Sequence, residues 1–176
     1  MKYLATLICF LFLLSCKKHL HQINEITKIE LGRSGAWFDS GATISIDSSL
    51  SYKYYGDYGD IKQGYFIGRI SSKYWDTLNQ KFENAAFKTF LPDSKILILD
   101  DAYFELVIYW KDGKRKITRY WDGGKEPIVK VFNWLSISDK RVKLKQVSTP
   151  FKFETTAHRP PRPKIAQVKF PPPTKR

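Results

Sequence analysis

Cysteine, histidine and methionine are almost missing from this chain of 176 residues, at two, three and one copies. The cysteines are Cys9 and Cys16, and the histidines are His19, His21 and His158. All five lie outside the segment 23–150, which carries the regular apolar patterns. That segment therefore has no disulfide, no Cys–His or Ser–His–Asp nucleophile, no Cys/His zinc centre and no histidine base. A long apolar run is missing too. The N-terminal one, Tyr3 to Leu14, is about twelve residues, where a bilayer-spanning helix needs about twenty. No glycine-rich phosphate loop is present, because "DGGK" at 122–125 lacks the preceding glycine and the hydroxyl of that motif.

Carboxylates are the remaining acid–base groups. Asp100 and Asp101 are neighbours before a strand, so their side chains leave on opposite faces, whereas a glycosidase pair must face each other across about 5–10 Å. They read as loop acids. Asp57 and Asp60 offer oxygens, but their spacing completes no calcium loop. No catalytic residue, metal or cofactor is expected.

What is present begins at the N-terminus. Lys2, the short apolar run and the small Ser15 before Cys16 have the layout of a secretory signal. Leu13-Leu14-Ser15-Cys16 resembles the lipobox of bacterial lipoproteins, in which cleavage precedes the cysteine and its thiol receives a diacylglyceryl group. The resemblance implies a signal peptide over 1–15, a mature chain starting at Cys16, a tether over 16–22 and attachment to a membrane through lipid. One acyl chain anchors marginally, whereas two or three hold durably. Lys17, Lys18 and His19 follow the cysteine instead of acidic residues, which favours a periplasm-facing protein in the bacterial cell envelope.

The formal net charge of +13 is unevenly spread. Residues 23–150 hold 20 Lys/Arg and 16 Asp/Glu, whereas residues 151–176 hold 7 and 1. A nucleic-acid binder carries its basic stripe on the domain itself, so nucleic acid is not an expected partner. The tail 151–176 has six prolines and no periodicity, which predicts a basic, extended and disordered terminus.

Between these flanks a single α+β domain over 23–150 is predicted. "ITKIELGRSG" and "ATISIDSSLSYKYYGDYG" alternate as antiparallel strands, and "GYFIGRI" adds another. Ser71-Ser72 suits an N-cap, followed by Trp75, Leu78, Phe82 and Ala86 on one helical face. "AYFELVIYWKDGKRKITRYW" reads as a hairpin turning at Asp112-Gly113. That turn sets Ile108 opposite Ile117, Leu106 opposite Arg119 and Glu105 opposite Tyr120. It also leaves Arg115 and Arg119 on the apolar side, where they need a rim position or an acceptor. Pro127 suits a first helical turn, with Ile128, Val131, Phe132 and Leu135 as its stripe. The expected architecture is an antiparallel sheet of about five or six strands with two helices packed on one face.

Two aromatic and basic clusters are candidate ligand surfaces. Tyr52 and Tyr54 share a strand face suited to stacking on sugars, and Arg115, Arg119, Tyr120 and Trp121 suit an anionic group. Strand propensity with ordinary core and rim packing is the plainer account of both, so sequence alone makes neither a site.

The order "IxxIEL-R", a turn and strand, "Y-x-Y-x-G", a "G-x-I" entry to a helix, then a hairpin and a short helix is similar to the bacterial family catalogued as domain of unknown function 6438, over Ile23 to Ile137. Many members carry a cysteine pair in the turn after the first strand, where this chain has Ala36 and Ser40. The resemblance implies the fold and brings no catalytic residues.

The expected function is that of a lipid-anchored binding or scaffold protein, its partner an envelope protein or polymer, with the oligomeric state open. The alternatives are a carboxylate-dependent hydrolase of envelope glycans and a lipid-anchored immunity or inhibitor protein.

Overall fold

A computed structural model describes residues 25–34, 41–57, 60–90, 103–120 and 126–156. Seven strands, two helices and a 3-10 turn follow in the order β1 (Ile26–Ser34), β2 (Ala42–Asp47), β3 (Ser51–Gly56), β4 (Gly64–Arg69), α1 (Ser72–Asn84), β5 (Tyr103–Trp110), β6 (Gly113–Tyr120), α2 (Pro127–Ser136), the turn Ser138–Lys140 and β7 (Lys145–Val147). The strands form one antiparallel sheet in the order β6-β5-β1-β2-β3-β4-β7. The fold is α+β, as expected, with more than the five or six strands anticipated. The short β7 shows no alternation in sequence and forms because it closes the outer edge of β4.

Alternation decides which face is core. Ile29, Leu31, Ile44, Ile46, Tyr52, Tyr54, Leu106 and Ile108 point one way and are buried with the apolar faces of α1 and α2. Simple alternation would set Ile26 on the opposite face from Ile29, yet Ile26 is also buried. A bulge is responsible. Ile26 pairs with Trp110 and Lys28 with Tyr109, so Thr27 is an extra residue that reverses the parity of what precedes it. Asn79 of α1, buried on the helix's apolar face, accepts from the Ile26 amide at 3.3 Å and donates to the Trp75 carbonyl at 3.0 Å.

Ser71 caps α1 as expected, accepting from the Tyr74 amide at 3.1 Å. Ala86 departs from expectation. Instead of continuing the buried face it follows the helix, with φ at +48°. The Ala86 amide reaches the Glu83 carbonyl, the Phe87 amide reaches the Phe82 carbonyl, and the Phe82 and Phe87 rings meet edge to face at 6.2 Å. These are the bonds and the apolar contact of a Schellman termination, at whose left-handed position glycine is ordinarily found. Alanine there is strained. Ala86→Gly is expected to raise stability by about 0.5–1 kcal/mol, the strain relieved exceeding the added chain entropy, and a thermal melt reads the increase.

The hairpin also differs in register. Its turn residues are Lys111 and Asp112, Gly113 pairs with Trp110, and Ile108 opposes Arg115, Leu106 opposes Ile117 and Glu105 opposes Thr118. The offset from the expected pairing is two residues, which preserves the faces. Gly113 serves a different purpose from the one expected. A Cβ there would lie 2.6 Å from the Trp110 indole, so glycine makes room for the ring.

Candidate functional site

The residues singled out from sequence are not brought together. Tyr52 and Tyr54 do share a face, but it is the core face and both are fully buried, so neither can stack on a sugar. Tyr52 shares a 2.7 Å hydrogen bond with Ser138. Burial first, then the nearby Asp60 carboxylate, holds the Tyr54 hydroxyl protonated well above the usual tyrosine range. Asp60 itself receives Arg33 at 3.1 Å. Arg115 and Tyr52 lie in one cross-sheet row with Ile108, Ile29 and Ile46 between them, which is four strand spacings or about 19 Å.

The conflict posed by Arg115 on an apolar face is resolved by acceptors. Its guanidinium donates to the carbonyls of Phe87 at 3.2 Å, Lys88 at 2.5 Å and Phe90, which end the segment after α1. Arg115 is thus a clamp between the edge strand and that segment. By register Arg119 opposes Phe104 and Tyr120 opposes Tyr103. Trp121, Asp100, Asp101, Cys16, the signal and tether segments, and Ala36 and Ser40 lie outside the described residues. Among the described residues no group of three metal-ligating side chains occurs.

The polar chemistry lies on the opposite face of the sheet. Glu30 of β1 and Glu105 of β5 are 1% and 2% exposed, which is unusual for carboxylates and requires that their oxygens be satisfied. Each has a lysine: Lys28 reaches Glu30 and Lys116 reaches Glu105, both at 2.6 Å. Each also accepts from backbone. Glu30 receives the amides of Glu154 at 2.6 Å and Thr155 at 3.4 Å, and Glu105 receives that of Thr156 at 3.4 Å. Register places Glu105 opposite Gly32, two residues along β1 from Glu30, so the two acids are diagonal neighbours.

Those amides belong to the segment expected to be disordered. Residues 151–156 form a strap across the open face, and the boundary at 150 is corrected accordingly: the packed unit runs to at least 156. Phe151 meets Tyr65 edge to face at 5.5 Å and Phe153 at 6.2 Å, and Thr155 is buried. Composition gave no warning, because the strap is held through backbone amides and two aromatic rings and needs no periodicity. The one sequence signal available was "FKFE", a short alternation ahead of the prolines.

Glu154 ties the strap to the hairpin through Lys114 and the Tyr109 hydroxyl. The Lys114 ammonium, then the Tyr109 hydroxyl, lower the Glu154 carboxyl below its ordinary pKa. Burial, and then the same carboxylate, push the Tyr109 hydroxyl above its ordinary value. A lowered folded-state pKa stabilises above the unfolded value, near 4.3 for glutamate, and that contribution disappears as pH falls through the lowered value. In carbon-detected NMR the Glu154 carboxyl is expected to titrate below the ordinary glutamate value, and Lys114→Ala should raise it back toward that value.

Charge is distributed unequally over this face. Toward β1, β5 and β6, Lys28, Lys114 and Lys116 are neutralised by Glu30, Glu154 and Glu105. Toward β4 and β7, Lys53, Ile67 and Lys145 form one cross-strand row, with Arg69 two residues along from Ile67. Among the described residues none of Lys53, Arg69, Lys143 and Lys145 forms an ion pair. Lys53 lies over the Phe151 ring at 5.5 Å, and Arg69 donates to the Ser49 carbonyl at 3.2 Å. Between β4 and the approach to β7 is an open groove of about 420 Å³ lined by Ile67, Gly68, Arg69, Lys143, Leu144 and Lys145. No family model matches this chain, and no curated protein does.

Proposed function

We propose that this chain is a non-catalytic binding module, lipid-anchored through Cys16 and facing the periplasm, which uses the surface of its sheet to hold an envelope component. The single observation that supports this reading over a hydrolase is the engagement of the two buried carboxylates. Both oxygens of Glu30 are engaged, Oε1 by Lys28 and Oε2 by two strap amides, and Oε1 of Glu105 is held by Lys116 and the Thr156 amide, where an acid–base pair would present oxygens to substrate. A general acid needs access to a leaving group, and the strap lies across both carboxylates. The unpaired cations toward β4 and β7 offer the complementary chemistry, attraction for an anionic partner.

Purified chain incubated with peptidoglycan is expected to release no reducing ends. Release abolished by Glu30→Gln or Glu105→Gln, in protein that still melts cooperatively, would establish the hydrolase instead. Cys16→Ser is expected to move the protein out of the membrane fraction. If the substituted protein is still processed and still sediments with membranes, the anchor reading fails.

A further inference from the structure

We propose that the groove between β4 and β7 is a binding site for the phosphate-bearing headgroup of an anionic lipid, which would seat the sheet edge against the membrane. The inference deepens the binding reading above by naming the ligand class. It stands on the geometry of the groove and does not depend on the lipid tether.

Three properties of the groove select that ligand. Every charged residue that lines it is cationic, namely Arg69, Lys143 and Lys145, and no carboxylate-bearing residue lines it. Asp47, the last residue of the nearby β2, is already engaged by the Ser49 amide at 3.0 Å and the Ser51 amide at 3.4 Å. The apolar part of the lining is exposed at Ile67, one of three large apolar side chains substantially exposed among the described residues, at 39%, while Leu144 is half-buried and packs against the core. An inorganic anion has no use for that surface, whereas the glycerol and first methylenes of a lipid would cover it. The groove is also held open by construction. The 142–144 segment packs so closely against Gly68 on the core side that a Cβ there would lie 2.8 Å from the Lys143 carbonyl, so Lys143 and Leu144 are fixed relative to β4. Arginine supplies a planar fork and the lysines supply point charges, the combination suited to a phosphodiester at a water interface.

The test uses the chain from residue 16 onward carrying Cys16→Ser, so that no acyl chain contributes. Sedimentation with vesicles containing phosphatidylglycerol is compared with vesicles of phosphatidylcholine alone. The triple variant Arg69→Gln/Lys143→Gln/Lys145→Gln is compared with a charge-matched control at three exposed lysines elsewhere, Lys73→Gln/Lys130→Gln/Lys140→Gln. The groove variant is expected to bind the anionic vesicles at least about tenfold more weakly, with the control retaining most of the affinity. Ile67→Ser should weaken vesicle binding without lowering the melting temperature. Equal losses in the groove variant and the control would overturn the proposal in favour of diffuse charge attraction, to which the basic C-terminal residues also contribute. Loss confined to the charge variant, with Ile67→Ser unaffected and the Ile67 methyl resonance shifting equally with inorganic phosphate, would overturn the lipid and identify a soluble anion. Membrane fractionation of Cys16→Ser reads the tether separately, so either idea can fail alone.

Discussion

Ending the chain after Pro150 is expected to lower the unfolding free energy by about 2 kcal/mol, a loss of several degrees in melting temperature, whereas ending it after Thr156 should change neither. The shorter chain loses the strap whole: the edge-to-face contact of Phe151 on Tyr65, the buried Thr155 and the amides that satisfy Glu30 and Glu105. The cost stays moderate for two reasons. The strap's six residues regain their conformational freedom, and the two carboxylates are rehydrated instead of being left buried without partners. Residues beyond 156 are proline-rich and basic, a composition that buries little apolar surface. Equal melting temperatures for chains ending at 150 and 156 would show that the strap contributes nothing to stability.

Glu30→Ala is expected to be more damaging, at about 3 kcal/mol in the full-length chain. It strands two strap amides, removes the partner of Lys28 and leaves a void under Thr155. Glu30→Gln keeps the volume and an acceptor oxygen and should cost about 1 kcal/mol. The decisive measurement is a double-mutant cycle. In a chain ending after Pro150 the Glu30 side chain faces water, so the alanine substitution should cost about 1 kcal/mol or less, a coupling well above the error of the method. Additive losses would mean that Glu30 and the strap stabilise the fold independently, and that the short amide contact to Glu154 is incidental.

The legible parts of this fold were those written in local patterns. The Ser71 cap, the stripe Trp75–Leu78–Phe82, the Pro127 helix start and the β5–β6 hairpin all follow from spacing and from residues with one dominant backbone role. What escaped was decided elsewhere. The bulge at Thr27 reverses the face of Ile26 because the sheet and α1 need that side chain inside, and no signal in "ITKIEL" marks it. Tyr52 and Tyr54 carry the same strand propensity whether they face solvent or core. Only the docking of α1, α2 and the 3-10 turn places them inside. The strap is the extreme case, since its partners lie 124 and 51 residues away and are recognised through amides that every residue but proline possesses. The basic groove was equally hidden: Arg69, Lys143 and Lys145 belong to two edge segments, and charge counting over 23–150 averaged them with paired lysines.

The position of β1 has a consequence for how the chain acquires its structure. On one side β1 pairs with β2 at sequence separations of 9 to 19 residues, on the other with β5 at separations of 69 to 84. Closing the longer loop costs more entropy, and the contacts that reward it come late, so the β1–β4 meander should zip first and the β5–β6 hairpin should dock afterwards. Until it docks, β1 is a naked sheet border offering unpaired amides and carbonyls between Ile29 and Leu31. Conservative truncations in β5, such as Ile108→Val, should therefore speed unfolding and hardly slow folding, while changes in the β2–β3 turn act on the folding rate. The hairpin thus works as an intramolecular guard: whatever delays its arrival hands the border of β1 to another chain.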